Sequence, residues 1–177
     1  MIPAAPPSST ALGFLTVLHE AGGYVGGYLV TNSWGRPLEF RLSSAVQPNK
    51  VQQILYGGTL VPYVCADLIG KTLMDRAGVP VQMVVTDREA VLELRLKTDA
   101  PVLWLAPSEE ERSGPNVVRP GDGGRGPLLC HPRYPGDAAA AGELLDRLDG
   151  LDLAEPFARI REAVTEARKT GVTNRAA

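Results

Sequence analysis

Two stretches near the N-terminus, Tyr28 to Thr31 and Leu38 to Ser43, alternate in side-chain character with a period of two. Between them, Asn32-Ser33-Trp34-Gly35 supplies an Asn able to close its own backbone and a Gly able to take positive φ. The pattern predicts a β-hairpin. On its second strand Leu38, Phe40 and Leu42 are expected to face a core, and Glu39, Arg41 and Ser43 water or a partner, because successive strand side chains point to opposite faces. An earlier strand from Leu12 to Glu20 and a turn at Gly22-Gly23 extend this to a three-stranded antiparallel meander.

Beyond Pro48 the period lengthens. Val51, Ile54 and Leu55 fall on one face of a short helix that Gly57 stops. After Thr59, the positions Val61, Val64, Cys65, Leu68, Ile69 and Leu73 keep helical spacing up to Gly78, with Asp67 and Lys71 spaced for a surface ion pair. Segment 81–106 reads two ways. Val81 to Val85 and Val102 to Leu105 are strand-like, and the strict alternation of Leu92, Leu94 and Leu96 with Glu93, Arg95 and Lys97 favours a strand between them; Thr86-Asp87 followed by helix formers would instead make a short βαβ unit. Residues 107–127 combine charge, Gly and Pro in the manner of a mobile loop. Leu128-Leu129-Cys130 is a brief apolar patch, Asp137 is expected to cap a helix through Leu148, and Phe157, Ile160 and Val164 line one stripe of a last helix from Asp152 to Lys169.

The elements add up to an α+β fold: an antiparallel sheet of five to six strands with C-terminal helices, the alternative being α/β with the βαβ unit at 81–106. Its divisions are a flexible 1–10, a core over 11–106, the loop 107–127, a patch and two helices over 128–170, and a tail from 171. In element order alone, with no motif matched, it is similar to the antiparallel-sheet sensory and adaptor modules of the PAS, GAF and roadblock type.

Composition narrows the function classes. Hydrophobic residues at 44%, charged residues at 21% and a net charge of -2 are those of an ordinary globular protein. No Lys/Arg run marks a phosphate-neutralising face, so nucleic acid is disfavoured as a partner. There is no apolar run long enough to span a bilayer and no leader-like N-terminus, and with only Cys65 and Cys130 a reducing, cytoplasmic location without membrane contact is expected.

Chemistry is sparse. His19, Cys65, Cys130 and His131 lack the paired spacing of a zinc module, and the glycines at 22, 23, 26 and 27 continue into a strand where a phosphate-binding loop needs a helix. No metal and no cofactor is expected. Cys65 sits on an apolar face, as a buried thiol does. His131, following the loop, and His19 beside Glu20 are weak candidates for general base chemistry.

The leading reading is therefore a small non-enzymatic adaptor that binds a protein partner, with a homo-oligomer possible. Its contact strip would comprise Trp34, Arg36, Glu39 and Arg41 on the hairpin and Gln52, Gln53 and Tyr56 after it. The alternatives are a hydrolase or transferase using His131 or His19 with Glu20 or Asp87, and a small-molecule sensor.

Overall fold

The computed structural model describes residues 10–122, 124–148 and 150–171. The N-terminal segment expected to be flexible and the C-terminal tail lie almost wholly outside the described residues. Seven strands form one mixed sheet in the order β3-β2-β1-β4-β5-β7-β6. They are β1 (Ala11–Glu20), β2 (Gly23–Asn32), β3 (Pro37–Leu42), β4 (Met83–Thr86), β5 (Val102–Leu105), β6 (Val117–Arg119) and β7 (Leu128–Cys130). β1, β2 and β3 are an antiparallel meander, β1, β4 and β5 run parallel, and β7 and β6 return antiparallel on the far edge.

This corrects the expected antiparallel sheet of five to six strands, and with it the likeness to antiparallel sensory modules. The physical reason lies in burial on both faces. Leu15, Val17, Tyr28, Val84 and Trp104 pack against one helical layer, while Leu12, Phe14, Val85 and Leu103 pack against another. Strands covered on both sides read as continuous apolar runs, and parallel pairs are the arrangement such strands adopt when helices cross over between them.

The first layer contains α1 (Lys50–Tyr56) and a longer helical run through Leu60–Pro62, Tyr63–Gly70 and Lys71–Arg76, π-helical in its middle section. It also contains a 3-10 helix, Glu89–Lys97, where the strand reading was favoured. Thr86 Oγ1 accepts the Arg88 N–H at 3.1 Å and turns the chain out of the sheet, and the parallel β4 and β5 require a crossover between them. The second layer is α2 (Asp137–Asp146) and α3 (Glu155–Lys169). Gly136 is the N-cap of α2, and Asp137 lies inside its first turn.

β2 is pinched between the layers. A Cβ on Gly26 would stand 2.2 Å from Ile69 Cγ2 on one side, and a Cβ on Gly27 would stand 2.4 Å from Ile160 Cγ2 on the other. Only glycine lets both helices approach this closely.

Some expected faces changed. Leu38 and Phe40 stay exposed on the edge strand β3, while Glu39 turns inward and accepts from the backbone N–H groups of Gly78 and Val79 at 2.9 and 3.0 Å. Val51, Ile54 and Leu55 of α1 are exposed where a core face was expected. Lys71 pairs with Asp75 rather than Asp67. Among the described residues no helix is long and apolar enough to cross a membrane.

Candidate functional site

The carboxyl ends of β4 and β5 open into a cleft of about 870 Å³. In open sheets with parallel strands this is the end where backbone and loops diverge and leave room for a ligand. Asp87 follows β4, Ala106 to Ser108 follow β5, and the turn carrying Asp122 and Arg125 joins β6 to β7. The opposite wall comes from the end of α2, the connection 150–154 and the start of α3. Leu105, Leu128, Leu145, Leu148, Leu151 and Phe157 make the floor apolar. Phe157 is fixed there by an edge-to-face contact with Phe14 at 5.8 Å.

Three arginines reach this cleft from separate elements: Arg119 from β6, Arg125 from the turn and Arg161 from α3. Arg119 donates to Asp146 at 2.5 Å and to the Gly142 carbonyl at 3.4 Å. Both members of that ion pair are largely exposed, so it is weak and exchangeable. Arg161 donates to Asp87 Oδ2. The other oxygen, Asp87 Oδ1, is buried and has no hydrogen-bond partner. Thr16 Oγ1 is in the same condition. Leu15 is in register with Thr86, the last residue of β4, so Thr16 and Asp87 each follow that pair by one residue. A buried acceptor left unpaired costs about 1–3 kcal/mol, which makes this corner of the cleft receptive to a donor.

The residues singled out from sequence lie elsewhere. β7 runs away from the cleft, with Leu128 opposite Leu105 and Cys130 opposite Leu103, so His131 sits at the amino ends of the parallel strands. There it is buried; its Nδ1 accepts the Arg133 N–H at 3.1 Å and its Nε2 faces Glu93 at 3.5 Å. Beside it, Arg95 is paired with Asp137 at 2.7 Å and lies 3.9 Å over the Tyr134 ring. His19 is exposed and stacks on Tyr24 at 4.0 Å, and Glu20 pairs with Arg168. His131, His19 and Glu20 therefore do not converge, and the expected joining of His131 with Asp87 does not occur. Burial pushes the Cys65 thiol up to about 11, away from any nucleophilic role.

The proposed contact strip is also divided. Trp34 and Arg36 stand at the hairpin tip, where Asn32 Oδ1 accepts both of their backbone N–H groups. Glu39 and Arg41 bond one another beside Gly78. Gln52 is spent in the capping box with Asn49, Gln53 donates to the Pro48 carbonyl, and Tyr56 stacks on Tyr63.

No family model matches the chain, and no curated protein matches it. Its outline is similar to solved structures of Endonuclease V. The protein from Bacillus subtilis is 12% identical with a TM-score of 0.44, over 70% of this chain and 65% of that one. Endonuclease V from Ciona intestinalis was solved in complex with a 23mer DNA containing an inosine followed by a ribo-adenosine. It is 10% identical with a TM-score of 0.40, over 83% of this chain and 61% of that one. The chain thus spans less than two thirds of the length of either neighbour. Both are endonucleases and one holds DNA. Against them, the expectations of a non-enzymatic protein-binding adaptor, of a chain leaning away from enzymes, and of nucleic acid as a disfavoured partner are corrected and not retained. The likeness is one of outline and gives no residue of this chain a role. Among the described residues, no group of three His, Cys, Asp or Glu side chains is placed to hold a metal ion.

The residues that sequence reasoning missed are Arg119, Arg125 and Arg161. A search for a Lys/Arg run finds only charges that are neighbours in the chain, and these become neighbours through β6, the 122–125 turn and α3.

Proposed function

We propose that the cleft at the carboxyl ends of β4 and β5 binds a nucleotide unit of a nucleic-acid strand. The observation that supports this most directly is the combination of an apolar floor with arginines at the rim. A base and sugar need an apolar surface of this kind, and phosphates need guanidinium groups. Arg125 makes no ion pair among the described residues, and Arg119 is held by an exposed carboxylate that a phosphate can displace. The cleft volume lies within the roughly 300–1,000 Å³ range of small-ligand sites, which fits one nucleotide rather than a duplex. Both cysteines are free and buried, which supports a reducing, cytoplasmic setting.

Fluorescence anisotropy with a labelled single-stranded oligonucleotide, and in parallel with a free nucleotide, tests the reading. Binding that the Arg119→Ala/Arg125→Ala variant weakens is the expected result. Binding unaffected by those changes, or none, would overturn it. Free nucleotide binding as tightly as the strand would move the site to a soluble ligand. Running the same mixtures on a denaturing gel reports whether the strand is cut, and cutting lost in Asp87→Asn would add a chemical step at this cleft.

A further inference from the structure

We infer that Asp87 and Arg161 read the base, selecting those that present a carbonyl beside a ring N–H, as guanine, uracil and thymine do, over those that present an amino group. The inference rests on the nucleotide reading above and gives it a specificity. Asp87 lines the cleft, spends one carboxylate oxygen on Arg161 and keeps the other, Oδ1, buried and without a hydrogen-bond partner. Arg161 spends one N–H of its fork on that bond and also lines the cleft. A guanidinium donor therefore stands next to a carboxylate acceptor. The complementary edge is an acceptor next to a donor, and every base has one. They differ in strength. A carbonyl oxygen is the stronger acceptor for a cation, and a ring imide N–H is more acidic than an exocyclic amine, so it gives the better bond to an anion.

Uracil and cytosine have the same ring size and differ in the edge at issue. The test measures anisotropy of the full-length protein with labelled oligodeoxyuridine and oligodeoxycytidine of equal length, alongside competition by free uridine and cytidine monophosphates. The expected preference is on the order of tenfold for the uridine strand, the size of one good base-edge contact. It should vanish in Asp87→Asn, with circular dichroism confirming that the variant is folded. A third probe needs no variant: N3-methyl-deoxyuridine strands keep the backbone and ring but lack the N–H, and should bind like the cytidine strand. Equal affinity of the native protein for the two strands, an unchanged preference in Asp87→Asn, or tight binding of the methylated strand each overturns the base-reading role while leaving the arginine-dependent binding standing. Failure of every strand and nucleotide to bind removes the nucleotide reading as well.

Discussion

At the amino ends of β4 and β5, Arg95 meets Asp137, Tyr134 covers the guanidinium, and His131 is held between the Arg133 N–H and Glu93. At the carboxyl ends of the same strands, Arg125 makes no ion pair among the described residues, Arg119 leans on an exposed carboxylate, and Asp87 keeps a buried oxygen unpaired. Both regions are rich in polar groups, and both border the sheet. In the first, each charge finds its complement within the fold, so its contribution is stability. In the second the set is incomplete, and an incomplete set of buried donors and acceptors is what a ligand can complete. Polar clustering alone does not mark a site; the state of satisfaction of the cluster does.

Removing one member of the saturated cluster should give the largest effect. Asp137→Ala strands Arg95 in a half-buried setting, and urea denaturation should show a loss of about 3 kcal/mol with oligonucleotide affinity unchanged. A fall in affinity of equal weight would erase the distinction between the two ends.

The next effect concerns the helical layer that both ends share. The folded-state pKa of Cys65 is raised from 9.0 to about 11, chiefly by burial and opposed by Arg88. Because the folded protein holds the thiol proton more tightly than the unfolded chain, the associated stability is complete below pH 9. It drains away as pH rises toward about 11. Denaturation across this window should show native protein losing on the order of 2 kcal/mol more than Cys65→Ala.

At the incomplete end, Arg119→Ala/Arg125→Ala should lower strand affinity about tenfold, read by anisotropy, while stability moves by less than about 0.5 kcal/mol. The smallest effect sharpens the comparison from the opposite direction. Asp146→Asn releases Arg119 from its exposed partner and should raise strand affinity about threefold, with no measurable change in stability. A loss of affinity there would mean that Asp146 positions the arginine rather than competing for it.

Parts of this molecule are legible in its sequence for definite reasons. The β1 to β3 meander follows from local alternation and the Asn32 to Gly35 turn, both of which act over a few residues. The stripe of Phe157, Ile160 and Val164 is buried on α3, and the Glu155 and Arg159 pair forms at 2.9 Å. Strand partners are another matter. Nothing local says that β4 will insert beside β1, and the alternation of Leu92, Leu94 and Leu96 suggested a strand where tertiary packing imposes a 3-10 helix with Val91 and Leu94 inside. Segment 107–127, with the composition of a loop, contributes β6 and the arginine-bearing turn. The cleft was invisible for the same reason: its arginines come from three elements, and its informative atoms are defined by bonds they do not make.

The Gly26 and Gly27 step joins the two helical layers through a single peptide unit, with Ile69 on one side and Ile160 on the other. Ile160 is the chain neighbour of Arg161, which lines the cleft. At this point no side chain of β2 stands between the sheet backbone and either isoleucine, so the two layers meet the same stretch of backbone from opposite sides. A reporter placed on the Tyr63–Gly70 segment, which the cleft never touches, tests whether a displacement of α3 crosses the sheet at this step.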